Sequence, residues 1–222
     1  MERMLSLADQ TLWLLTTLVE VFVVFLFFMQ GLVRKFLFFN LYLLLLVTAD
    51  IGRYAFLYHF GIHSTDYFYF YYETNALLTV ALFISIGELS MRLVGIRLTG
   101  WKVFSWCAGT FLATALFSFT VSSYMVSRVA IRFLFELSQN LYFFCCLAVL
   151  LLWAWKLRNE PEDRIAASLV NVLSIYFLLF ALTYGARQLA SETARHTVNI
   201  YPMIDAWLPL GSGFALCSRK QP

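Results

Sequence analysis

The chain is poor in the residues on which most catalytic and metal chemistry depends. It holds three histidines in 222 residues, too few for the histidine-rich di-metal centres of membrane desaturases and hydroxylases. No phosphate-binding glycine loop occurs, which removes ATP-driven function. Ser212 stands between Gly211 and Gly213, but no histidine falls inside an apolar segment to activate its hydroxyl, so a serine-nucleophile reading fails and flexible backbone is the expected role. All four prolines lie at or beyond Pro161, so the earlier segments lack the breaks common in transporters with discontinuous helices. Cys107, Cys145, Cys146 and Cys217 sit in apolar runs without metal-ligand spacing and read as small hydrophobes.

Charge is equally scarce. With 13% charged against 61% hydrophobic residues, the chain cannot cover a water-soluble globule with polar surface. No basic patch is present, which excludes nucleic acid as a partner.

What the sequence has in abundance is long apolar runs. They recur near the roughly 20 residues needed to cross a hydrocarbon core, at 11–29, 36–58, 67–91, 103–126, 131–155, 165–189 and 198–217. The expected fold is all-α: a polytopic membrane helix bundle of about seven transmembrane helices, forming one integral membrane domain over residues 1–222 in a cell membrane. The first run follows Glu2 and Asp9 and has no small-residue cleavage site, so it reads as a retained helix. In the fourth, Gly109 and Ala113 are spaced for close helix packing, which predicts a central position. The seventh is interrupted by Pro202, Pro209, Gly211 and Gly213, so a kinked or re-entrant segment is its alternative. Asn159, Pro161 and the acids around them read as the start of the sixth helix.

Orientation follows from Lys and Arg in the short connections. Arg34, Lys35, Arg92, Arg97, Lys102, Lys156, Arg158, Arg164, Arg219 and Lys220 fall on one side; Arg3, Arg128, Arg132, Arg187 and Arg195 fall on the other. The side holding every lysine is expected to be cytoplasmic, which puts the N-terminus outside and the C-terminus inside. Tyr67 to Tyr72 then form an aromatic belt at the outer interface.

Ionisable groups within a bilayer are costly and are kept for function or for pairing. Counted from the outer helix ends, Glu20, Asp50, Arg53, Glu73, Glu136, Gln139, Asn140 and Asp205 fall in the outer half, and Glu88 and Asn171 in the inner half. Asp50 and Arg53 are spaced i, i+3, with Glu73 expected to approach from the next helix. These residues, with Glu20, Glu136, Asn140 and Asp205, are the candidate ligand-binding or relay groups. An outward-open cavity for a small polar or cationic ligand is one reading, and a salt-bridge network that fixes helix register is the other. Glu88 precedes Arg92 by four residues and reads as an ion pair near a helix end. His59, His63 and His196 share the outer side and form the candidate metal set, without a committed fourth ligand.

The helix count and orientation resemble those of the rhodopsins and of seven-helix bacterial sensor domains, in architecture alone. A retinal Schiff base is excluded, because no lysine lies in mid-membrane and the last segment offers Asp205 instead. Small sugar transporters of the three-plus-one-plus-three type share the count but not, in this chain, the proline-glutamine hinge. No cofactor is expected. The expected function is a non-enzymatic membrane sensor or receptor. Residues 218–222 carry no output domain, so a membrane or cytoplasmic signalling partner is expected. A proton- or ion-coupled transporter or channel is the alternative, and a metal-dependent enzyme acting on lipid headgroups the third reading.

Overall fold

The computed structural model describes residues 7–61, 64–94, 100–123, 129–159, 161, 163–189, 208 and 210–213. Every regular element among them is helical. In chain order they are α1 (Leu7–Met29), α2 (Leu37–Phe60), α3 (Thr65–Val94), α4 (Gly100–Ser123), α5 (Val129–Arg158) and α6 (Arg164–Leu189). Leu208 and residues 210–213 are also helical; the remainder of the expected segment 198–217 lies outside the described residues. Three stretches are long and apolar enough to cross a membrane: Leu37–Phe60, Thr65–Val94 and Arg132–Arg158. The 24 residues of α2, the shortest of these, extend about 36 Å, against a hydrocarbon core of roughly 30 Å.

Helix boundaries have local chemical causes. After α1 the chain reverses through Gly31, whose φ of 64° favours a residue without a side chain. Gly61, at φ 77°, ends α2, and its N–H donates to the Leu57 carbonyl at 2.9 Å. Ser64 caps α3 by accepting the Tyr67 N–H at 3.0 Å. Asp163 caps α6, accepting from the N–H groups of Ile165 at 3.0 Å and Ala166 at 3.4 Å.

α3 is the hub of the bundle, packing on α2 and α5 and more lightly on α6 and α4; α1 lies against α2, and α6 against α5. Residues 210–213 reach both α6 and α1. A Cβ placed on Gly211 would stand 2.6 Å from Val172 Cγ1, and one on Gly213 would stand 3.2 Å from Val23 Cγ2. Ser212 is fully buried and donates to the Leu208 carbonyl at 2.7 Å. The Gly-Ser-Gly stretch is therefore a site of close helix approach, which corrects its reading as flexible backbone.

The expectation of a central fourth helix does not hold. α4 packs chiefly on α5, and Leu112 and Phe117 are 60% and 59% exposed. A Cβ on Gly109 would meet nothing within 4 Å. The Gly109 and Ala113 spacing instead lines an open groove with Ser105 and Thr110. Close approach to α3 occurs elsewhere on α4, where a Cβ on Gly87 would lie 3.0 Å from Cys107 Sγ.

The core is densest toward the end of the bundle where α1 turns into α2. Phe27, Phe36, Phe39, Leu89, Leu93 and Leu169 are completely buried there. At the opposite end of α2, Ile51, Tyr54, Tyr58 and Phe60 are exposed.

Candidate functional site

The first turn of α2 reads Phe36-Leu37-Phe38-Phe39 and offers no side chain to cap it. Its free N–H groups must find an acceptor elsewhere. Glu88 of α3 supplies it: one carboxylate accepts from Leu37 at 3.0 Å, Phe38 at 2.9 Å and Phe39 at 3.1 Å. Beside it, Ser85 donates to the Phe38 carbonyl at 2.9 Å. The Glu88–Arg92 ion pair also forms, at 3.7 Å, with the Arg92 guanidinium over the Phe36 ring at 5.2 Å. Reading Glu88 as a simple helix-end ion pair is thus corrected: its principal partners are the backbone donors of another helix, favoured further by the helix dipole.

The same end carries two more paired cations. Lys35 meets Asp163 at 2.8 Å, tying the α1–α2 turn to the cap of α6. Lys156 donates to Asn171 Oδ1 at 2.8 Å and to the Ala167 carbonyl at 3.2 Å, joining α5 to α6. Each of these polar side chains holds a helix start or a helix pair.

Polar groups toward the other end pair with side chains rather than with helix starts. Asp50 and Arg53 pair on one face of α2 at 3.7 Å, with side chains 14% and 13% exposed. Arg53 Nε donates to Thr74 Oγ1 at 3.0 Å, and its guanidinium lies 4.6 Å from the centre of the Tyr71 ring. Trp13 of α1 hydrogen-bonds the Asp50 carboxylate and packs edge-on against Tyr54 at 5.1 Å. Arg53 Nη2 is buried and has no hydrogen-bond partner among the described residues. α2 and α3 approach closely here, since a Cβ on Gly52 would stand 2.8 Å from Phe70 Cζ.

Of the expected trio, Asp50 and Arg53 come together and Glu73 does not. Tyr71 and Thr74 share a face by their i, i+3 spacing, which turns the intervening Glu73 away to an exposed position. Glu20 is only 1% exposed and continues the buried stripe of Thr16, Val23 and Phe27. It lies about 14 Å from the C-terminal end of α1, so it is a mid-helix group rather than an outer one. Glu136 pairs along its own helix with Arg132 at 3.9 Å. Asn140 donates to Ser118 Oγ at 3.0 Å and so joins α5 to α4.

His59 is exposed at the end of α2, beside the rings of Tyr58 and Phe60. His63, His196 and Asp205 lie outside the described residues. Among the described residues, no three His, Cys, Asp or Glu side chains are grouped as a metal site would require. Sequence reasoning missed Thr74, Tyr71 and Trp13 as partners of the Asp50–Arg53 pair. Thr74 carries a usable signal, being a hydroxyl two residues past the aromatic run Tyr67 to Tyr72.

No protein-family model, curated protein or solved structure matches this chain.

Proposed function

We propose that the chain is a multi-pass integral protein of a cell membrane, a seven-helix bundle with its N-terminus outside, acting as a non-enzymatic sensor or receptor. The polar group around Asp50 and Arg53 faces outward and takes a small ligand; Glu73 lies exposed on another face of α3, and Glu20, Glu136 and Asn140 lie along the helices that would respond. Ligand binding there shifts the helices and is passed to a membrane or cytoplasmic partner.

What supports this reading is the asymmetry between the two ends of the bundle. At the lysine-rich end, Glu88, Asp163 and Asn171 are taken up by helix starts and interhelical bonds within a densely packed core. At the other end, the Asp50–Arg53 pair bonds no helix start and Glu73 is exposed. Carboxylates committed to helix starts at one end, with a side-chain pair near the other, suit sensing better than passage. A membrane setting is supported by the outward face of α1, where Leu14, Leu18, Phe22, Phe25 and Phe28 are all exposed, an apolar surface suited to lipid.

Site-directed labelling tests the reading. With the native cysteines replaced by serine or alanine, Asp50→Cys and Glu73→Cys should react with a membrane-impermeant maleimide from the N-terminal side alone. Ser85→Cys and Asn171→Cys should react from neither side. Reaction of Asp50→Cys from both sides would instead favour a transporter. Glu20, a buried carboxyl midway along α1, is the observation that keeps a proton- or ion-coupled transporter as the second reading.

A further inference from the structure

The lysine-rich end holds more positive charge than its own contacts use. Arg34, Arg158 and Arg164 are exposed and form no ion pair among the described residues. The acids beside them are committed: Glu88 to the start of α2 and to Arg92, Asp163 to Lys35 and the start of α6. Glu160 and Glu162 lie outside the described residues; even with both counted, Arg34, Lys35, Arg92, Lys156, Arg158 and Arg164 outnumber the acids of this end. Arg164 is the first residue of α6, at the positive end of the helix dipole, where a cation weakens the helix unless an anion stands beside it.

Arg164 also opens a stripe along the seam between α5 and α6. Arg164, Ser168, Asn171, Ile175, Leu178 and Leu182 follow at spacings of three and four, so they share one face of α6. The first three are polar, and the last three are apolar and exposed. Lys156 of α5 joins the polar part from the side, donating to Asn171 Oδ1 at 2.8 Å and to the Ala167 carbonyl at 3.2 Å. An ammonium carries three donors, so one remains. Ala167 stands three residues after Arg164, about 4.5 Å along the axis, a gap that an arginine side chain and a phosphate together bridge. From Asn171 to Leu182 the stripe runs about 16 Å, half of the roughly 30 Å hydrocarbon core. Trp153, exposed three residues before Lys156, is a side chain that favours the lipid–water boundary.

Cations followed by one leaflet's depth of apolar surface reproduce the polarity order of a phospholipid with a negative head, and basic seams between helices on the cytoplasmic side suit such heads. We infer that the α5–α6 seam binds an anionic phospholipid of the leaflet at the lysine-rich end, its phosphate between Arg164 and Lys156 and an acyl chain along Ile175, Leu178 and Leu182. This rests on the membrane setting proposed above and not on the sensor reading.

The test is native mass spectrometry of the full chain released from nanodiscs of phosphatidylglycerol mixed equally with phosphatidylcholine. The wild type should retain phosphatidylglycerol selectively. Arg164→Gln changes an exposed side chain that has no polar partner among the described residues, so it should fold as the wild type does. It should lower that retention about tenfold, the loss expected for one charge-assisted contact. Arg158→Gln is the control: it removes the same charge from the same end, but two residues from Lys156 it lies on another face of α5, so retention should stay at the wild-type level. An equal loss in both variants would mean a diffuse positive surface and overturns the site, as does retention that Arg164→Gln leaves unchanged. Thermal stabilisation by millimolar glycerol phosphate, without selective lipid retention, would make the ligand a soluble anion and overturns the lipid. Equal retention of both lipids by a wild type that nonetheless enters nanodiscs overturns the inference and leaves the membrane setting in place.

Discussion

Glu88 illustrates how a single side chain can hold two helices in register. Its carboxylate answers three backbone donors that have no partner within α2, so any replacement that removes the acceptor strands them at a partly buried helix start. Glu88→Leu should destabilise the protein by about 3–5 kcal/mol, the range for breaking a buried charged contact and leaving its partners unsatisfied. Glu88→Gln keeps one acceptor oxygen but loses the charge at the dipole's positive end, and should cost about 1–2 kcal/mol. Thermal unfolding in detergent orders the three proteins, wild type above Gln above Leu; equal midpoints for the two variants would mean that charge alone matters. At this scale the sequence disclosed which residues are unusual but not what they touch. Asp50 and Arg53 were legible as a pair because both lie on one helix at i, i+3. Glu88 looked committed to Arg92 because spacing rules see only side chains of the same helix, whereas its acceptor role is toward backbone groups 49 to 51 positions earlier. Glu73 was misassigned for the converse reason: its depth matched Arg53, but its helical face did not.

Elements were the most legible level, since an apolar run bounded by Gly, Pro, Ser and Asp carries both the length and the ends of a helix. Each of α1 to α6 falls within about a turn of an expected apolar segment. Neighbour relations were less legible, because small-residue spacing marks a surface that could receive a helix without naming one that does. Gly109 and Gly211 separate the two cases. Ala at 211 would press its methyl group against Val172, a β-branched side chain with little rotamer freedom. Gly211→Ala should therefore lose about 1–3 kcal/mol through overpacking. Gly109→Ala meets open space in the middle of a helix and should be neutral or gain up to about 1 kcal/mol from helix propensity. Comparison of unfolding midpoints for the two alanine variants checks the assignment, and a larger loss at Gly109 would place α4 against a neighbour that the fold does not give it.

For the whole molecule, orientation is argued from charge and from how the fold gathers it. Ten Lys and Arg residues fall on one side of the expected spans against five on the other, with all four lysines among the ten. The structure then brings several of them into one layer: Lys35 on Asp163, Lys156 on Asn171 and Arg92 on Glu88. Because that layer also holds the start of α2 and the cap of α6, the helices whose ends carry basic residues share an end. The retention of Lys and Arg on the cytoplasmic side during insertion then acts on the bundle as a whole rather than on one loop. A C-terminal green fluorescent protein fusion expressed in bacterial cells should accordingly fluoresce, and an N-terminal epitope tag should be cut by protease added to intact cells. The reverse pattern would turn the Asp50–Arg53 site toward the cytoplasm, and the sensing proposal would then need an internal ligand. Charge reversal makes the argument quantitative: Arg34→Glu with Lys35→Glu removes two of the ten positive charges and breaks the Lys35–Asp163 contact. That variant should yield a mixed population, with part of the N-terminal tag becoming protected. Complete retention of the wild-type orientation would mean that the other eight basic residues suffice to set it.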